Sequence, residues 1–175
     1  MTHTMTEQEK REHLRKLINS AHSAMFVTHT INGLHGRPMA NAEVEESFLR
    51  IWFATSRSSS KVDELQHDNR VFLGYAKSGT EWASINGRAR TVDDRAKIHE
   101  LWSPYWKNWF NGADDPDLIL LEVIPESGEY WDSGNKLFAM VKFAVGAMTG
   151  RPMDLGDNQK VSLSGRTGAG MGATE

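Results

Sequence analysis

Apolar residues change their spacing along the chain at Ala24. Before it, Leu14, Leu17, Ile18 and Ala21 recur at three- and four-residue intervals, which keeps one face of a helix apolar. Thr6-Glu7-Gln8-Glu9 just ahead has capping-box form, a hydroxyl followed three residues later by a carboxylate, and so marks that helix's start. After Ala24 the run Met25 to Ile31 is rich in strand formers, and Asn32-Gly33 is a hairpin signal. A returning strand is predicted from about Gly36 to Val44.

Phe48 to Thr55 is nearly all apolar and predicts a strand buried on both faces. A hydroxyl-rich loop, Ser56 to Ser60, leads into a short helix over Lys61 to Asp68, capped by Ser59 or Ser60. Strands are predicted from Arg70 to Ala76 and from Thr80 to Thr91. Gly87 inside the second suggests a bend, a bulge or a close approach by another group. Asp93 to Trp102 reads as a helix capped by Asp93, and Ser103-Pro104 restarts one. Two strands, Leu118 to Ile124 and Glu126 to Asp132, are predicted on either side of Pro125, then a helix from Lys136 to Thr149. The Gly- and Ser-rich end, 158–175, reads as a flexible tail behind a single domain of residues 1–157.

Antiparallel strands joined by tight turns, with helices inserted at a few points, predict a mainly β (α+β) fold. The expected form is a six- or seven-stranded split β-barrel with flanking helices. Its 175 residues suit one domain. The absence of cysteine excludes disulfides, thiol catalysis and cysteine-ligated metals. Net charge is -3 with basic residues scattered, so no nucleic-acid footprint is expected. Neither a signal peptide nor a membrane span is read from the sequence, and a cytoplasmic location is expected.

Three segments, in order, resemble the flavin site of the pyridoxamine 5'-phosphate oxidase-like family. They are Gly36-Arg37-Pro38-Met39-Ala40, Trp52 to Leu65 (with Thr55-Ser56-Arg57-Ser58-Ser59-Ser60-Lys61 inside it), and Glu129-Tyr130-Trp131-Asp132. The resemblance runs from about Glu9 to Leu163 and is nearest to the branch called general stress proteins. It implies bound FMN and a homodimer with the cofactor in a groove between subunits. It also implies that backbone groups around Met39 to Asn41 meet the reactive edge of the ring. Ala54-Thr55 would follow the ribityl and phosphate path, Trp82 would contact the flavin from the long strand, and Trp131 would come from the partner.

The residues themselves point the same way. Ser60-Lys61 at a helix N-terminus offers a hydroxyl, an ammonium and free backbone N–H groups, which suits an anion. Arg37 could add a bidentate fork to a phosphate oxygen or a ring carbonyl. Each residue also has a plain reading: a serine cap, a surface lysine, a salt-bridged arginine, core tryptophans.

The family's true oxidases follow that tryptophan with a basic, histidine-containing stretch for the substrate. Here Asp132-Ser133-Gly134-Asn135-Lys136 follows, with no histidine, so oxidation of vitamin B6 is not expected. The expectation is a flavin-dependent oxidoreductase with an unknown small substrate and no nominated catalytic residue. The alternative is a non-catalytic flavin-binding or sensing module, and a third reading exchanges flavin for haem or a deazaflavin. Two further features stay open. Trp102, Tyr105, Trp106 and Trp109 form an aromatic stripe, either packing surface or a wall over the ring. His22, His29 and His35 fit no metal-ligand spacing.

Overall fold

In a computed structural model, residues 5–48, 50–132 and 158–163 are described. The predicted helix Lys136 to Thr149 lies outside them. Helix α1 spans Glu7–Ala21 and opens on the expected capping box: Thr6 Oγ1 accepts from Glu9 N, and Glu9 accepts from Thr6 N. His22, in left-handed backbone with φ 62°, turns the chain into the sheet.

Among the described residues eight strands follow: β1 Ser23–Thr30, β2 Gly33–Ala40, β3 Glu43–Val44, β4 Ile51–Ser56, β5 Arg70–Ser78, β6 Glu81–Val92, β7 Leu118–Asp132 and β8 Asn158–Ser162. Helix α2 is Ser60–His67, α3 is Arg95–Leu101, and a short 3-10 helix covers Pro104–Asn108. All strand pairs are antiparallel, in the order β2-β1-β5-β6-β7-β4-β3, with β8 also on β7. The mainly β, antiparallel class is the expected one.

Several element boundaries differ from the sequence-based expectation, each for a local reason. The predicted strand beginning at Phe48 begins instead at Ile51, because Phe48 has φ 54° in a tight turn closed by Phe48 N donating to Glu45 O at 2.9 Å. Helix α3 is capped by Asp94, whose side chain accepts from Lys97 N, and not by Asp93, which pairs with Arg57 and Arg95. The stretch around Pro125 is one strand. On the β6 side the register shifts between Asn86 and Gly87, opposite Pro125. On the other edge of β7, pairing with β4 ends at Val123 and pairing with β8 begins at Ser127. Pro125 falls in that gap, where a missing N–H costs no ladder bond. Residues 158–163, placed in a tail on sequence grounds, re-enter the fold. Val161 and Leu163 are buried in the main core, with Lys160 and Ser162 alternating outward.

The core fills the rolled sheet. Leu14, Leu17 and Ile18 of α1 meet Phe26, Phe53, Leu73, Ile85, Leu121 and Val123 from the strands. Phe26 and Phe53 meet edge to face at 5.2 Å, and burying each ring contributes about 2 kcal/mol. A second cluster covers the outer face of β4 and β7: Trp52, Leu118 and Leu120 pack under Ile98 of α3 and Trp106 of the 3-10 helix. Strand β4 is therefore covered on both faces, as its apolar run predicts.

Candidate functional site

Strands β2 and β4 lie near opposite ends of the sheet order, yet residues of both line one cavity of about 730 Å³. The sheet has rolled until its ends face each other, and the cavity sits in the split. Pro38, Met39 and Ala40 form one side; Ala54, Thr55 and Ser56 form the other. As the end strand of the sheet, β2 turns one row of backbone donors and acceptors away from β1.

The polar end is built by the loop between β4 and α2. Ser59 is the N-cap of α2, but its hydroxyl makes no cap bond to the helix. It accepts from Lys61 Nζ at 2.6 Å. This holds the ammonium at the cavity, and the first-turn N–H groups are not capped by the serine side chain. Asp117 fixes the loop from below: its carboxylate accepts from Ser56 Oγ at 2.5 Å and from Ser58 N at 3.2 Å. Arg57 points away, donating to Asp93 and to Pro116 O.

Lys61 is half-buried, and its pKa is lowered by burial and then by the nearby Arg37, with Glu64 opposing. Among the described residues, no carboxylate lies within salt-bridge distance of Lys61. A desolvated cation beside a second cation favours a bound anion. Phosphate fits: Lys61, the Ser59 and Thr55 hydroxyls and the N-terminus of α2 make a coherent donor set.

Arg37 does not line the cavity. Its guanidinium is instead committed to Glu64 at 2.5 Å and Thr28 Oγ1 at 2.7 Å. His35 Nδ1 lies 2.8 Å from Glu64 Oε1. Burial opposes ionisation of Glu64, but hydrogen bonds from Thr28, His35 and Arg37 hold its carboxyl at about 2. Arg37 thus reaches the cavity electrostatically, through Lys61.

Asn41 is occupied by structure. Its side-chain oxygen accepts from Tyr75 OH at 3.1 Å, its side-chain nitrogen donates to Ile18 O, and its backbone N–H donates to His22 O. Ser60 is exposed and outside the cavity lining; Ser59 takes the position assigned to it. Trp82 and Trp131 pair across β6 and β7 and line a neighbouring depression of about 690 Å³. Ser23 and Pro38 line both hollows, so the two adjoin.

Sequence reasoning missed Ser23, Phe110 and Asp117 as lining residues, and gave Ser56 and Ser59 no individual role within the serine segment. Asp117 carries no local signal, since only the pairing of β4 with β7 brings it beneath the serine loop. The aromatic stripe divides. Trp106 packs in the outer cluster and touches the cavity edge, while Tyr105 and Trp109 face the cavity with their rings largely exposed. Groups of histidine and carboxylate able to hold a metal are absent among the described residues. No helix among them is long and apolar enough to cross a membrane.

Comparison with known proteins agrees with this architecture. General stress protein 26 of Bacillus subtilis is 30% identical over 92 residues, 50% of this chain and 66% of that protein. The crystal structure of a putative general stress protein 26 from Jannaschia superimposes with a TM-score of 0.71 at 20% identity, covering 90% of this chain and 99% of the other. The general stress FMN/FAD binding protein of Xanthomonas citri is 29% identical, with a TM-score of 0.65 over 74% of this chain and 92% of its own. The sequence profile described as pyridoxamine 5'-phosphate oxidase like matches residues 9–154. With the split-barrel sheet order and the cavity in its split, the chain belongs to the pyridoxamine 5'-phosphate oxidase-like family.

Proposed function

We propose that this protein binds FMN in the split of the barrel and uses it as an oxidoreductase on a small molecule. The observation that carries this reading is the half-buried Lys61, tied to Ser59 at the N-terminus of α2 and facing a cavity whose other walls are mostly apolar side chains, with the hydroxyls of Ser23 and Thr55 and the hydrogen-bonded Ser56 and Asp117. The relative from Xanthomonas citri, named for FMN and FAD binding, supports a flavin. FMN would place its phosphate at Lys61, Ser59 and Thr55, and its ring edge along the open side of β2 at Pro38 to Ala40. When bound, the flavin supplies one- or two-electron transfer, and the protein's part is to position the ring and exclude water. Arg37 and Glu64 stand behind Lys61 as positioning residues.

A homodimer belongs to the same proposal. Met25 and Trp82, each 49% exposed, and Phe72, 39% exposed, crowd one outer face of the sheet. That face borders the depression lined by Trp82 and Trp131, and an apolar patch of this kind suits a second subunit. A partner there would reach the FMN cavity through Pro38. A cytoplasmic location completes the reading, and cell fractionation tests it.

Titration of the purified protein with FMN, followed by the visible flavin bands, tests the cofactor. Saturable spectral change at one FMN per chain is expected, and its absence overturns the reading. Steady-state assays with a reduced nicotinamide donor and a panel of acceptors then separate an enzyme from a flavin-holding module. The module reading is favoured by the lack of histidine in the stretch after Trp131, and robust turnover removes it.

A further inference from the structure

We propose that Tyr105 and Trp109 form the binding wall for a second ligand, a neutral planar aromatic ring of about quinone size, taken into the same cavity. The proposal rests on the flavin reading for the identity of its neighbour; the wall itself is independent of it. Most tryptophans are largely buried, yet here Trp109 is 63% exposed and Tyr105 is 61% exposed. Their rings lie 5.1 Å apart with planes tilted by 66°, and both line the cavity.

These rings contribute little to the protein's own packing. The outer cluster takes Trp106, Trp102 and Phe110 from the same segment and leaves Tyr105 and Trp109 out. Nor do they stand on a loose loop. Trp106 is buried and meets Trp102 edge to face at 5.8 Å and 89°. Ser103 Oγ accepts from Tyr105 N, and the N–H groups of Trp109 and Phe110 both donate to Trp106 O at 2.9 Å. Two aromatic faces are thus held open and pre-organised at a cavity, so little ordering is needed when a ring binds.

The lining selects the ligand's chemistry. The polar groups bond to one another, Lys61 to Ser59 and Ser56 to Asp117, so they form one polar end. Beside the aromatic pair the lining is mainly apolar, with Pro38, Met39, Ala40, Ala54, Trp106 and Phe110, and the hydroxyls of Ser23 and Thr55. Such a surface binds flat apolar molecules through ring faces. The Lys61 ammonium in the same cavity disfavours a cationic ring, and the apolar wall disfavours a charge of either sign on a ring stacked there.

The test uses the full chain, with and without saturating FMN, and menadione as the probe, without reductant. The chain has no cysteine, so the quinone meets no thiol to alkylate. Equilibrium dialysis is expected to give saturable binding at one menadione per chain. A Tyr105→Leu, Trp109→Leu double variant keeps an apolar surface without rings. It is expected to weaken menadione binding at least tenfold, while FMN affinity moves less than threefold and the sedimentation coefficient is unchanged. Unsaturable probe binding by the wild type overturns the proposal. So does probe binding that survives in the variant. A tenfold loss of FMN affinity in the variant means the pair covers the flavin, and a change of oligomeric state means it serves a subunit contact; either result also overturns it. Menadione binding that depends on the pair in a protein that fails to bind FMN would remove the flavin reading alone.

Discussion

Glu64 carries three hydrogen bonds on one partly buried carboxylate, from Thr28, His35 and Arg37. Its folded-state pKa of about 2 lies below the ordinary 4.5. The stabilisation is therefore complete above pH 4.5 and is lost as pH falls towards 2. Glu64→Gln is expected to destabilise the protein by about 2 kcal/mol at pH 7, since it leaves Arg37 without its counter-charge. It should also flatten the fall in melting temperature between pH 5 and pH 3. Thermal melts across that range check both, and parallel curves for the two proteins would refute the assignment. At this scale the sequence was partly legible. Lys61, Thr55, Ala54 and Pro38 to Ala40 reach the cavity as the motifs imply. Arg37 and Asn41 do not, because long-range partners claim them: Glu64 and Thr28 hold Arg37, and Tyr75 and α1 hold Asn41. A serine run does not reveal which member caps a helix. Here Ser59, and not Ser60, meets Lys61.

Among the elements, β6 and β7 depend on one glycine. A Cβ on Gly87 would stand 2.4 Å from Ile124 O, a backbone atom that cannot swing away. Gly87→Ala is expected to cost about 3 kcal/mol or to block folding at 37 °C. Chemical denaturation measures this, and a loss under 0.5 kcal/mol would mean that the bulge adjusts freely. The glycine's role was readable because a glycine in a strand asks for a reason. Helix α1 was readable for a similar cause, since its cap and apolar face agree. The continuity of β7 was not, because tolerance of Pro125 depends on which neighbours pair on either side of it. Strand β8 was hidden as well: Val161 and Leu163 supply two alternating apolar residues among glycines and serines, too short a pattern to stand out.

On the scale of the whole molecule, the roll of the sheet makes the site, since it brings β2 to β4. The local strand order was legible from turn chemistry, whereas the closure and the lining it creates depend on long-range pairing. If the outer face carrying Met25, Phe72 and Trp82 is a subunit contact, Phe72→Asp should give monomers without unfolding the chain, because Phe72 points outward. FMN affinity should then fall at least tenfold. Sedimentation velocity and FMN titration test this together, and a wild-type monomer with full FMN affinity would defeat the shared-site picture. The most direct test of the central claim compares FMN with riboflavin, which differs only in lacking the phosphate. If phosphate sits at Lys61, Ser59 and the start of α2, FMN should bind roughly 100-fold more tightly, about 2.7 kcal/mol. That advantage should largely collapse in Lys61→Ala. Equal affinity for the two flavins, or an advantage that Lys61→Ala leaves intact, would contradict the account.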